Sequence, residues 1–175
     1  MATVTALDPT RAPGADLDLD ALLALDPAAL SSLYNDAAVP RVPDLSGDLR
    51  GRMLAWQGVT GLPARALRAL AGSAAFPWRG KSFAHEGPDA GHGKNRVVSD
   101  RVRLFRFTTC VGPSRAGDFD AVQLDYDHRD NPRLIRAVKD EVRELRSGLW
   151  LGQAWWQWSA ASRPRLVLWF GLAAR

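Results

Sequence analysis

Near the amino end apolar residues recur at helical spacing, at Leu19, Leu22, Leu23, Leu30, Leu33 and Tyr34. The series breaks at Asp26-Pro27, where an aspartate can cap a second helix and a proline can fill its first turn. Two short helices are therefore predicted. Residues 1–16, rich in Pro, Ala, Thr and Asp without a period, read as a disordered tail. Residues 17–45 read as a helical leader whose last part, VPRVPDL, holds two prolines and must run extended. Residues 46–175 then read as a single β-rich domain. Within it PARALRAL at 63–70 predicts a helix, with Leu62, Ala66, Leu67 and Leu70 along one side and Gly72 ending it.

From residue 76 the period shortens to two. Strands are predicted over 76–85, 101–111 and 119–127, with turn sequences at 86–95 and 112–117. The stripe Leu134, Ile135, Val138, Val142 and Leu145, opened by a capping Asn131-Pro132 and closed by Gly148, predicts a helix. Two last strands, 149–158 and 165–172, form a hairpin around 159–164. The fold class is α+β: an antiparallel β-barrel or strongly curled sheet, with short N-terminal helices and one helix packed before the final hairpin.

A chain of 175 residues, 46% hydrophobic, is long enough for one domain with a sizeable core and tight for two. Its longest apolar run, 166–174, falls short of the roughly 20 residues a spanning helix needs, so no membrane span is expected. The amino terminus carries Asp8, Asp16, Asp18 and Asp20 in place of the basic-then-apolar order of an export signal, which predicts a cytoplasmic protein. The lone Cys110 can neither close an internal disulfide nor build a thiolate metal site, and reads as a buried-strand thiol. Charge is divided: residues 1–48 hold eight aspartates against two arginines, and residues 49–175 hold 21 basic against 11 acidic groups. The basic residues are scattered over every predicted element instead of gathering on one face among aromatics, so nucleic acid is not the expected partner.

Several side chains could carry chemistry. Strand alternation puts Trp78, Gly80 and Ser82 on one face and Arg79, Lys81, Phe83 and His85 on the other. Lysine and histidine beside phenylalanine could orient an anionic or carbonyl group, or Lys81 could simply snorkel to water. Arg106, if it faces a barrel interior, needs a carboxylate, and Asp125 and Asp127 are the nearest in sequence order. Those two share a strand face opposite Tyr126, where a pair could hold a cation or do acid–base work. No second set of ligands with metal spacing accompanies them, so no metal site is expected. Trp150, Trp155, Trp156, Trp158 and Trp169 crowd the final hairpin, with Trp156 and Trp158 on one side. They are core, or the walls of a cavity for a hydrophobic ligand. There is no Gly-x-Ser-x-Gly elbow, and Gly80-Lys81-Ser82 lacks the upstream glycine of a phosphate loop.

Two short motifs acquire meaning together. Gly47-Asp48-Leu49-Arg50-Gly51 has the spacing of a Gly-x-Trp-x-Gly signature, and Trp78-Arg79-Gly80-Lys81-Ser82-Phe83 looks like the Trp-x-Gly-Lys-x-Phe segment that follows it. The runs LDYDHRDNPRLIRAVKDEV, LWLGQA and RLVLWFGL follow the order of that family's carboxy-terminal domain of unknown function. Over about residues 45–173 the chain thus resembles the bacterial Gly-x-Trp-x-Gly family, departing from it at Leu49, where the family has tryptophan. The resemblance implies a lipocalin-like β structure and supplies no catalytic residues. Three functions follow as expectations. The first is binding of a small hydrophobic or amphipathic molecule in a barrel cavity, with Trp78, Lys81, Phe83, His85, Arg106, Asp125, Tyr126, Trp156 and Trp158 as ligand-binding residues. The second is a cavity enzyme of isomerase, cyclase or lyase type, with Asp125 or Asp127 as base and Arg106, Lys81 or His85 as its partner. The third is a protein–protein interaction module, a homodimer included. The sequence points to no particular cofactor.

Overall fold

Apolar or aromatic residues at alternating positions, among them Leu49, Phe83, Phe107, Leu124, Val142, Trp150 and Phe170, give seven strands a common buried face, and glycines take that place in an eighth. In a computed structural model that describes residues 17–59, 61–73, 76–99 and 101–175, these strands close on themselves as a barrel. They are β1 (Gly47–Trp56), β2 (Trp78–His85), β3 (Ala90–Val97), β4 (Arg103–Pro113), β5 (Asp120–Asp125), β6 (Val138–Arg146), β7 (Leu149–Trp156) and β8 (Arg165–Ala173). Every neighbouring pair is antiparallel, and β8 returns to pair with β1, for example Met53 with Phe170. Helices α1 (Leu19–Leu23), α2 (Pro27–Asp36), α3 (Gly61–Gly72) and α4 (Arg133–Arg136) complete the α+β, lipocalin-like architecture. A barrel of about eight strands has room inside for side chains and at most one small ligand.

One end of the barrel is plugged. A 3₁₀ turn at Val42–Asp44 brings Val42 and Leu45 into the same core as Leu49, Phe83 and Phe107. A second core lies outside the wall, where Leu19, Leu22, Leu30 and Tyr34 of the leading helices cover Leu54, Leu149, Leu151 and Trp169. Asp18 and Asp26 cap α1 and α2, accepting from the backbone of Ala21 at 2.7 Å and Ala29 at 2.8 Å. Arg143 fastens the leader to the wall: its guanidinium lies 4.0 Å from the Phe119 ring centre and donates to the carbonyls of Asn35 and Ala37.

Several expectations are corrected. The helix expected over 131–148 is a single turn, α4, followed by β6. The stripe that suggested it also fits a period of two, with Val138, Asp140 and Val142 inward and Lys139, Glu141 and Arg143 outward, and β5 and β7 supply ladder partners on both sides. Asn131 does not cap that turn; its amide donates to the carbonyls of Arg106 at 2.7 Å and Tyr126 at 2.8 Å. Residues 90–95, read as turn, belong to β3. The glycines there serve packing: a Cβ on Gly93 would meet the Phe107 ring at 2.4 Å. The link after the leader is extended only as far as Arg41, and β1 forms where no strand was expected. Cys110 is exposed on the outer face of β4. The tail 1–16 lies outside the described residues.

Gly80 is fixed by two independent constraints. Its φ of 125° is disfavoured for L-residues, and a Cβ would stand 2.2 Å from the backbone oxygen of Leu49. Gly80→Ala is expected to cost at least ~3 kcal/mol, from backbone strain plus overpacking. Gly58→Ala, at φ 78° but with nothing within 4 Å, should cost only about 1–2 kcal/mol. Paired urea denaturations check this, and equal losses would mean the Gly80 contact can relax.

Candidate cavity site

Two bulges border the site. The β2–β3 register shifts between Trp78 and Gly80, leaving Arg79 as the extra residue. Trp78 and Lys81, which strict alternation would send to opposite faces, therefore both line the barrel cavity. Trp78 lies across Gly51 of β1, where a Cβ would stand 2.5 Å from its ring. A second shift, between Lys94 and Asn95, leaves Phe105 unpaired with a left-handed φ of 59°. Phe105 lines the cavity, and Arg106, opposite Phe105 and Phe107 by plain alternation along β4, is exposed on the outer wall beside Thr108 and Cys110.

The cavity has a volume of about 300 Å³. Its walls are apolar, from Met53, Val97, Phe105, Ile135, Leu168 and Phe170 among others, and its polar side chains gather in one cluster around Lys81. Lys81 is 2% exposed and Asp140 4%. The Lys81 ammonium donates to Asp140 Oδ2 at 2.8 Å, to Asn95 Oδ1 at 2.9 Å and to the Tyr126 hydroxyl at 2.5 Å, which uses all three of its hydrogens. Tyr126 donates to Asp140 Oδ2 at 3.0 Å and accepts from Asn95 Nδ2 at 3.1 Å. Trp78 Nε1 donates to Asn95 Oδ1 at 3.0 Å. The rings of Phe170, Tyr126, Phe107 and Trp78 stand 5.0 to 5.5 Å from the ammonium. Burial pulls the Lys81 pKa below its ordinary value while the Asp140 charge holds it up. Burial, and then the Asp140 charge, push the Tyr126 phenol well above 10.0, so its proton stays in place.

Of the residues expected at the site, Trp78, Lys81 and Tyr126 meet here. Phe83 is interior but lies below the cavity, edge-on to Phe107 with centroids 5.3 Å apart. His85, Arg106 and Asp125 are exposed outside the barrel. Asp125 pairs with Lys139 and Asp127 with Arg136, both on the outer wall, so neither carboxylate reaches Arg106 or the cavity. Trp156 and Trp158 pack edge-to-face at 5.3 Å, and Trp158 is 62% exposed beside a surface groove. Trp156 pairs with Val138 at the last position of β7, past Ala154, and Trp158 lies beyond the strand, so neither lines the cavity. Asp140 and Asn95 were not anticipated. The available signal for Asp140 was a lone carboxylate between Val138 and Val142 on a period-two face.

Fold and cavity together define a closed, eight-stranded, lipocalin-like barrel with a buried charge cluster inside it. No helix among the described residues is long and apolar enough to cross a membrane. No family model and no curated protein matches the chain. Among solved structures it is similar to a protein from Thermomonospora curvata, with a TM-score of 0.52 and 16% identity over 86% of this chain and 88% of that one. That likeness is one of fold.

Proposed function

We propose that the barrel binds one small hydrophobic or amphipathic molecule, seated against the apolar walls with its polar end at the Lys81–Tyr126–Asp140–Asn95 cluster. The observation that carries this reading is the 300 Å³ apolar space whose polar groups converge at one place. Since an apolar cavity of about 150 Å³ accepts one benzene, the space suits an occupant of roughly two ring equivalents. We also propose that the chain is a divergent member of the Gly-x-Trp-x-Gly family. In support, the two motifs lie on paired strands, with Leu49 opposite Lys81 and Arg50 opposite Gly80. Leu49, at the family's tryptophan position, is 2% exposed and packs in the core beneath the cavity.

Native mass spectrometry of freshly purified protein, followed by solvent extraction, tests the reading. The expected result is a compact hydrophobe released in stoichiometric amount, or an empty protein that takes one up. An empty protein that binds none of a panel of two-ring hydrophobes would sink it. A second reading, acid–base catalysis in the same cavity, is supported by the shared contact of Lys81 and Tyr126 with Asp140 Oδ2. Incubation of the extracted molecule in deuterated water separates the two: incorporation of carbon-bound deuterium means catalysis, and an unchanged molecule means binding.

A further inference from the structure

Counting donors and acceptors in the cluster gives the chemistry of the missing partner. Lys81 spends its three hydrogens on Asn95, Tyr126 and Asp140, and Tyr126 spends its one on Asp140 Oδ2. Asp140 Oδ2 thus receives two donors, while the buried Asp140 Oδ1 receives none from the described residues. The contrast with Glu141, the next residue on β6 and fully buried on the outer side, is instructive. Its Oε1 accepts from Ser114 at 2.8 Å and Trp155 at 3.2 Å, and its Oε2 from the Arg115 backbone at 3.0 Å and Gln123 at 3.3 Å. Glu141 is a finished structural contact, whereas Asp140, which borders the cavity, keeps one carboxylate oxygen in want of a donor. An acceptor left bare in so dry a place is costly, and a donor that reaches it gains a charge-assisted bond.

Charge sets the rest. The ammonium of Lys81 and the carboxylate of Asp140 already cancel at 2.8 Å. A ligand carboxylate would add an unbalanced negative charge beside Oδ1 in a low-dielectric site. We infer that the cavity selects a compact hydrophobe carrying a neutral hydroxyl, an alcohol or phenol, whose O–H donates to Asp140 Oδ1, and that it discriminates against the corresponding carboxylic acid. This rests on the binding role proposed above and narrows it.

Calorimetric titration with four two-ring probes tests it: naphthalene, 2-naphthol, 2-methoxynaphthalene and 2-naphthoate. The expected order puts 2-naphthol roughly tenfold or more tighter than naphthalene and the methyl ether, because a hydrogen bond to a charged acceptor is worth about that factor. Naphthoate should be the weakest. In Lys81→Met/Asp140→Leu the preference for naphthol over naphthalene should fall to within about twofold, with naphthalene binding retained. If naphthalene binds but naphthol and its methyl ether bind equally, or naphthoate binds tightest, the donor assignment is wrong while the cavity reading stands. If none of the four binds the unaltered protein, both fall.

Discussion

Lys81→Met should lower the free energy of unfolding by about 3–5 kcal/mol, and Lys81→Met/Asp140→Leu should recover most of that loss or exceed the starting stability. The reason is the asymmetry of buried ion pairs. Lys81 and Asp140 are both almost wholly buried and their charged atoms lie 2.8 Å apart. Methionine fills the space of the lysine stem but leaves the Asp140 carboxylate buried with Tyr126 as its remaining donor. Removing both partners abolishes the two desolvation penalties together and adds apolar contact with Phe107 and Phe170, whose rings already surround the ammonium. Urea denaturation of the three proteins, with the m-value checked for constancy, measures the effect. A double variant no more stable than the single would show that the cluster holds the barrel together. A recovered double variant means that a charge pair tolerated at a cost in stability is kept for what it does in the cavity.

How much of this was legible beforehand depended on whether the deciding contact was local. The capped leader helices were readable because Asp26-Pro27 is itself the signal, and the final hairpin was readable because its apolar strands flank a short turn. β6 was not, since Val138 and Val142 satisfy a helical period and a strand period alike and only the flanking strands decide between them. β3 was hidden by Gly91 and Gly93, which look like turn residues until the Phe107 ring is seen against Gly93. At the site, Trp78, Lys81 and Tyr126 could be singled out by type, but period-two reasoning placed Trp78 and Lys81 on opposite faces. The bulge at Arg79 reverses that, whereas Arg106 is outside by plain alternation, since the buried face of β4 is the one that carries Phe107 and Thr109. An unpaired residue in a ladder leaves little trace in sequence unless it is glycine, and here the glycine, Gly80, is the residue after the bulge.

The same burial that organises the cluster makes alkaline unfolding unusually revealing, because the chain has two tyrosines and both are buried. Tyr126 lies inside the barrel and Tyr34 under the leader outside it. Burial and then the Glu141 charge push the Tyr34 phenol far above 10.0, and burial and then the Asp140 charge do the same for Tyr126. In the unfolded chain both titrate near 10. Above that pH the folded protein retains protons that the unfolded chain releases, so stability falls as pH rises, by up to about 2.7 kcal/mol per pH unit for the two groups. Lys81 works in the opposite sense. Its folded pKa is depressed, so between that value and the unfolded 10.5 the unfolded chain holds the extra proton and stability rises with pH. This opposing contribution is half spent at 10.5 and gone about one unit higher, beyond which the tyrosine loss outweighs it fully. Ultraviolet difference absorbance should therefore show almost no tyrosinate in the folded protein, then both phenolates appearing together with the loss of far-ultraviolet circular dichroism. Tyr126→Phe should roughly halve the slope above about pH 11.5 by removing one of the two retained protons. Gradual ionisation with a midpoint near 10 in a protein that keeps its folded spectrum would mean that water reaches the phenols, and with them the floor of the cavity.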